Sequence, residues 1–359
     1  MVTEHKPLSQ TRRDFIKKAS AVTAVSSFTI LNSSTVFGTQ ANSMVQVGII
    51  GTGGRGMNDG GKLLETGKAK IVALADYFDF QLERPGKEYS VAPSHRFSGL
   101  DGYKKLLDLP EVEATLHTSP PGFRPIQVED SIAAGKHVFA EKPIAVDPWG
   151  CRKFKEVGEN AKSKKLSLGV GLQTRYGLNQ RKIAAAIASG AIGKPINGLV
   201  RRMSGDLWRR EEPPTFSKLD HQIRHWLYYL WGSGDFITEQ HIHNLDAFSW
   251  FVGSLPVSAA GRGGRTVRTD VGDIYDHFNV QFTYPDGLDL SYIGTQIPGS
   301  PSGQNTYIVG TEGSFDSTKG LTTKTGEVME YRGVGDDNVL REMDHFLTSI
   351  QGGDYINNT

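Results

Sequence analysis

Four residues of this chain have the types and spacing suited to moving a proton and a hydride on and off a hydroxyl-bearing carbon. Lys142 lies in the turn Glu141-Lys142-Pro143, while Glu239, His243 and Asp246 recur at i, i+4 and i+7. On a continuous helix that spacing puts all three on one face. An imidazole beside a carboxylate is a competent general base, because its pKa lies near neutral and the carboxylate orients the ring. A lysine at the end of a strand can hydrogen-bond a substrate hydroxyl and stabilise the alkoxide that develops as hydride leaves. His241 points to the other side of such a helix and reads as structural. The plainer alternatives are a polar helix face at a domain interface and a surface turn stopped by proline. No metal site is expected: His241 and His243 diverge on a helix, and Cys151 is the only cysteine.

Hydride transfer needs an acceptor, and the segment before residue 57 provides for one. The apolar run Val45 to Ile50 enters Gly51-Thr52-Gly53-Gly54-Arg55-Gly56, a G-x-G-x-x-G turn opening a helix. Gly51 permits the tight turn, Gly53 lets the backbone approach a pyrophosphate, and Gly56 lets helix and strand pack closely. The helix N-terminus offers free N–H groups to phosphate. Asp76 ends the second strand about twenty residues on, where it can accept hydrogen bonds from ribose hydroxyls. Asp76 repels a 2′-phosphate, and Tyr77 and Phe78 bring no compensating cation, so NAD is favoured over NADP. Arg55 either meets a 2′-phosphate or covers the adenine. The expected cofactor site is Gly51, Gly53, Gly54, Arg55, Gly56, Asp76, Ser119, Pro120, Glu141 and Lys142.

The elements that must position these groups follow from periodicity. Residues 44–170 alternate strand-like and helix-like stretches at βαβ spacing: strands at 45–50, 71–75, 114–118, 137–140 and 166–171, helices after Gly51 and at 103–107, 126–134 and 149–161. That is a Rossmann-type parallel domain. From 171 to 359 the pattern becomes a second, α+β domain. Its strands are expected near 196–201, 257–260, 277–284, 288–293 and 306–309, and its helices near 222–230, 236–252 and 338–350. A polar loop containing tryptophan and proline runs to about Asp220.

Residues 1–43 read as a targeting segment and linker. Thr11-Arg12-Arg13-Asp14-Phe15 precedes a short, weakly apolar run to Leu31, the pattern of a twin-arginine export signal and too short for a membrane span. Export to the periplasm is therefore expected, with the cofactor carried out tightly bound in the folded protein. Roughly 315 residues remain after it, room for two domains. The charges nearly cancel, 40 basic against 39 acidic side chains, which argues against nucleic acid or an anionic membrane surface as a partner.

Taken in order, the glycine turn, the strand-end Asp76, Glu141-Lys142-Pro143 and the acidic-x-x-x-His-x-x-Asp pattern resemble the Gfo/Idh/MocA oxidoreductases, relatives of glucose-fructose oxidoreductase and inositol dehydrogenase. The resemblance covers nearly all of the chain after the signal. It implies a Rossmann domain followed by a domain with a large, open, mostly antiparallel sheet, through which members form homo-oligomers. It also implies that Lys142 and His243 match the family's catalytic lysine and histidine, with Glu239 where many members carry Asp. Family members usually continue beyond the helix at 338–350, so the chain is read as a possible fragment. The stretch from Trp226 to Asp246 resembles an exported bacterial branch, and Gln173, Arg175, Arg224, Trp226, Tyr228 and Asp246 are the expected contacts to a carbohydrate. Three functions remain open: a sugar or polyol dehydrogenase, a redox-neutral glycosidase or lyase working through a transient keto-sugar, and a catalytically silent sugar-binding protein. Retention of both Lys142 and His243 argues against the last.

Overall fold

The computed structural model describes residues 44–205, 207–331 and 337–358, so the expected twin-arginine segment lies outside the described residues. The run Val45–Ile50 (β1) is apolar at nearly every position and must be covered on both faces, the environment of a central parallel strand. The strands that follow it are Ala69–Asp76 (β2), Arg96–Ser98 (β3), Ala114–His117 (β4), His137–Glu141 (β5) and Leu168–Gly171 (β6). Together they form a parallel sheet in the order β3-β2-β1-β4-β5-β6. The order reverses between β1 and β4, so the carboxyl ends of these strands border the crevice in which open α/β sheets hold ligands. Gly51 follows β1 and Ser119 follows β4, which places both at that crevice.

Helices cover the sheet for local reasons. Asp147 caps the helix Pro148–Ser163 by accepting the Gly150 N–H at 2.6 Å, and Pro148 supplies a φ suited to the first turn. The last helix, Asn338–Gly352, crosses the boundary expected at 171. Its apolar face, Met343, Phe346 and Leu347, joins the same core as Val47, Ile49, Leu63, Leu116 and Phe139. The rings of Phe346 and Phe139 meet edge to face at 5.5 Å. Just beyond it, Asn357 bridges to Leu168 of β6. Sequence order suggested the second domain for this helix; the apolar stripe needed the uncovered face of the first sheet.

The second sheet has eight strands: Pro195–Ser204 (β7), Ser258–Gly264 (β8), His277–Thr283 (β9), Asp289–Gln296 (β10), Gly303–Gly310 (β11), Gly313–Asp316 (β12), Gly320–Thr323 (β13) and Val328–Glu330 (β14). Their order is β14-β13-β12-β11-β7-β10-β9-β8, antiparallel throughout except where β7 and β10 run parallel. In β10, Leu290, Tyr292, Gly294 and Gln296 are buried and the residues between them are half-buried. That alternation marks a sheet with one covered face. The helices Leu178–Ala188 and Ile242–Val252 cover it, bringing Ile183, Ile187, Phe248 and Phe251 against Leu290, Tyr292 and Ile308.

Candidate active site

The glycine turn has the form needed to cradle a dinucleotide phosphate. Gly51 has a φ of +92°, and a Cβ there would run into the backbone of Ser119. A Cβ on Gly56 would strike the Gly51 carbonyl, so this glycine serves packing and does not line the cleft. Gly53 and Gly54 face open space, and Gly53 precedes the helix Gly54–Glu65 with no side-chain cap. The first-turn N–H groups are therefore left for a ligand. Asp76 is anchored behind the turn: Oδ2 accepts the Thr52 N–H at 2.7 Å and Oδ1 accepts the Phe78 N–H at 3.0 Å. Burial pushes its carboxyl above the ordinary value, and these hydrogen bonds offset part of the rise.

A cleft of about 700 Å³ runs from this turn to the second domain. Gly51, Gly53, Gly54, Arg55, Asp76, Ser119, Pro120, Glu141 and Lys142 all line it. Two expectations change here. Arg55 does not reach toward the adenosine end; it turns inward, its Nη2 2.6 Å from Glu141 Oε1 and its Nε 2.9 Å from Asp59 Oδ2. Glu141 and Asp59 are buried, and a buried carboxylate draws the nearest cation. Cations are also not lacking near Asp76. Arg224, from the second domain, acts on the Asp76 charge, and Arg210 from the same domain and Arg84, shortly after Phe78, line the same cleft.

At the cleft's other end, Lys142 Nζ donates to the Glu239 carbonyl at 2.6 Å and to Glu239 Oε1 at 3.0 Å. Arg124, fully buried, holds the turn before it by donating from Nη1 to the carbonyls of Glu141 and Pro143, both at 2.6 Å. His243 lines the cleft beside Lys142 and Glu239. Its Nδ1 is buried without a hydrogen-bond partner, which leaves Nε2 as the nitrogen open to the cleft. Burial, and then the Lys142 charge, push the His243 pKa down to about 3, so the ring is neutral across the neutral range.

The single helix expected over 236–252 is broken, and the break alters the triad. Asp235–Glu239 ends at Gln240; the His241 N–H reaches back to the Phe236 carbonyl at 3.1 Å, and a new helix starts at Ile242. Arg202 braces the break by donating to the Gln240 carbonyl at 2.8 Å and to Asn244 Oδ1 at 3.0 Å. The i, i+4, i+7 face therefore does not form. Glu239 pairs with Lys142, and Asp246 turns away to a bidentate pair with Arg175, Nη2 to Oδ1 being 2.7 Å. Among the described residues no carboxylate is hydrogen-bonded to the His243 ring, whose Nδ1 has no partner. His241, as read from the sequence, is buried, with Nδ1 2.6 Å from the Tyr292 hydroxyl.

The expected carbohydrate contacts divide. Gln173 and Trp226 line the cleft, and Gln173 Oε1 is buried without a partner. Arg224 lines it near Asp76, stacked over the Phe80 ring at 5.3 Å, away from the Lys142 end. Arg175 and Asp246 neutralise each other outside the cleft wall. Tyr228 is fully buried, donating to the Leu207 carbonyl at 2.9 Å with Arg209 and Arg268 over its ring, so it is core and touches no ligand. Trp208 and Arg210, which are not among the residues expected from the sequence, line the cleft from the loop before Asp220. The signal was the presence of a tryptophan in an otherwise polar loop.

Glu342, on the last helix, is buried behind this site with both carboxyl oxygens unpartnered. Burial, and next the charge of Glu141, push its pKa up to about 9. Between the ordinary 4.5 and that value the folded protein holds a proton that the unfolded chain has lost, so stability falls as pH rises through this window. Glu342→Gln is expected to raise the melting temperature at about pH 9 and to change it little at about pH 5. Melting curves at both pH values check it, and an equal change at both would show that ionisation is not the cause.

Two family descriptions match the chain: "Oxidoreductase family, NAD-binding Rossmann fold" over residues 45–172 and "GFO/IDH/MocA C-terminal domain" over residues 180–316. The chain is 23% identical over 309 residues to the uncharacterized oxidoreductase YrbE of Bacillus subtilis, covering 84% of this chain and 80% of that one. It is 35% identical over 153 residues to inositol 2-dehydrogenase of Pseudomonas fluorescens, where the match spans 42% of this chain and 44% of the relative. Among solved structures, the aldose-aldose oxidoreductase from Caulobacter crescentus superposes with a TM-score of 0.69 at 17% identity, covering 88% of this chain and 92% of that one. At that identity the likeness speaks to the fold.

Proposed function

Since the chain belongs to the Gfo/Idh/MocA oxidoreductase family, we propose that it moves hydride between a nicotinamide dinucleotide and a hydroxyl-bearing carbon of a sugar, polyol or glycoside. One observation carries the reading: Lys142 and His243 face a single cleft that continues into the open glycine turn. The turn fits the dinucleotide because Gly53 and Gly54 leave room where a side chain would stand, at an uncapped helix start. When bound, the nicotinamide supplies the hydride acceptor. His243 takes the hydroxyl proton at Nε2, and Lys142 donates from Nζ to the same oxygen as negative charge grows on it. Glu239 holds the lysine in place through its carbonyl and carboxylate. Gln173 and Trp226 bind the ring, one by hydrogen bond and one by its apolar face. The similarity to inositol 2-dehydrogenase supports a polyol or sugar over other alcohols.

The cofactor in this reading is NAD, held tightly. Asp76 at the strand end favours free ribose hydroxyls. A strap from the second domain supports retention. Tyr77 donates to Asp220 at 2.6 Å, Phe78 stacks on Phe216 with ring centroids 5.1 Å apart, and Arg224 covers Phe80. Denaturing the purified protein is expected to release NAD(H) into the supernatant; a protein with no affinity for either dinucleotide would remove the basis of the reading. Asp76→Ser is expected to narrow the preference for NAD over NADP in binding titrations. An unchanged ratio would place the ribose contact elsewhere.

A closed strap also favours the redox-neutral alternative, in which the hydride is returned and no cofactor exchange is required. Incubation with glycosides separates the two: accumulating bound NADH supports a dehydrogenase, and aglycone release without net reduction supports the glycosidase or lyase. Export by the twin-arginine route to the periplasm belongs to the same proposal, carried by Arg12, Arg13 and the run that follows. Among the described residues no helix is long and apolar enough to cross a membrane. Association through the open second sheet completes it, and light scattering of the purified chain measures that directly.

A further inference from the structure

We propose that Glu212, His221 and His225 form a binding site for one divalent transition-metal ion of the zinc type, outside the cleft described above. His221 lies on the short helix Lys218–Arg224 and His225 is its C-cap, four residues on, so both imidazoles leave the same face; their centroids are 4.8 Å apart. Glu212 faces them from the preceding segment. Its Oε1 is 2.6 Å from His221 Nδ1 and its Oε2 is 3.9 Å from His225 Nδ1. Oε2 is buried with no hydrogen-bond partner. One donor atom of each residue lies within 4.8 Å of the other two.

Two imidazoles and one carboxylate are the protein ligands of an open tetrahedral zinc site, with the fourth position left to water. Imidazole nitrogen selects transition ions over magnesium and calcium. The adjoining hollow, lined by Pro213, Phe216, Ser217 and Tyr229 among others, admits that water. The ion displaces the proton that His221 and Glu212 share, and the two side chains separate to the spacing of ligands on one centre. His225 Nε2 accepts the Arg210 N–H at 3.2 Å. Ligation through Nδ1 gives up its 3.3 Å bond to the His221 carbonyl and moves the ring proton to Nε2, so the Arg210 amide exchanges its bond for water. The bound ion thus ties the Glu212 segment to the helix that carries Arg224, beside the strap over the cofactor cleft. Sequence reading did not find the site because Glu212 and His221 are nine positions apart with no short motif between them.

The test is a titration of the full, chelator-stripped protein with Co²⁺, whose visible absorption reports tetrahedral nitrogen and oxygen ligation. About one equivalent is expected to bind and to be displaced by Zn²⁺. Glu212→Gln and His221→Ala are each expected to weaken binding at least as much as the roughly 10–100-fold that follows loss of a supporting residue. His95→Ala, at a separate His–Glu pair, is expected to leave it unchanged. Both variant side chains are partly exposed, so melting curves without metal are expected to match the parent. Absence of a stoichiometric Co²⁺ spectrum in the parent protein overturns the proposal, as does binding undiminished in Glu212→Gln and His221→Ala.

Discussion

Lys142→Ala and His243→Ala are each expected to lower kcat by about 10²–10⁴-fold, the range for losing a positioned general base or the donor to a developing oxyanion. Placement gives both residues these roles. His243 Nε2 is the open nitrogen of a ring held neutral by burial and by the neighbouring lysine, so it is in the proton-accepting form although, among the described residues, no carboxylate is hydrogen-bonded to Nδ1. Lys142 is fixed at two points by Glu239, which keeps its third N–H for the substrate oxygen. Both variants are expected to keep their bound dinucleotide, and released NAD(H) measures that beside turnover. His241→Ala is the control, with a lower melting temperature and nearly unchanged kcat, because His241 is packed under Tyr292 in the core. The pH profile adds a second check. A His243 pKa near 3 means that kcat/KM shows no acid limb from this residue at the ordinary histidine value of 6.5. If His241→Ala abolished turnover and His243→Ala spared it, the assignment of the base would be wrong.

Arg55→Ala is expected to destabilise the protein by roughly 2–4 kcal/mol at neutral pH, toward the lower end for breaking buried ion pairs because Arg55 is about a third exposed. Removing it leaves Glu141, Asp59 and Glu342 in one buried pocket with their main neutralising charge gone. Asp59 is pushed up to about 7 by burial and by Glu141 even with Arg55 present, and Glu342 stands higher still. Loss of the guanidinium raises these values further, so the folded state escapes repulsion only by binding protons. The linkage sign follows: a carboxyl with a raised folded pKa loses stability as pH climbs from its unfolded to its folded value. The Arg55→Ala deficit should therefore be smaller near pH 5 than near pH 8. Urea midpoints at the two pH values measure it; a deficit independent of pH would mean that lost packing, not charge, explains the change. Arg55→Lys is expected to recover only part, since an ammonium cannot span Glu141 and Asp59 as the guanidinium fork does.

Much of this site was legible in the sequence. An apolar strand running into G-x-G-x-x-G and a strand-end Asp76 are local patterns, set by backbone sterics and by the need to bury a central parallel strand on both faces. The Glu141-Lys142-Pro143 turn and His243 were legible on the same terms, as chemistry-bearing residues at element ends. The partners of those residues were not. Spacing on an ideal helix joined His243 to Glu239 and Asp246, but the chain breaks at Gln240, where Arg202, from β7 of the second sheet, takes up the freed Gln240 carbonyl. Whether Asp246 meets a histidine or Arg175, whether Arg55 faces a ligand or two buried carboxylates, and whether Tyr228 is a surface or a core ring depend on groups brought near from dozens of residues away. The same holds for Trp208 and Arg210 in the cleft wall and for the last helix, which follows its apolar stripe to the first sheet. Periodicity and turn chemistry act over a few residues and so can be read along the chain. Charge pairing and burial act through space, and only the folded molecule decides them.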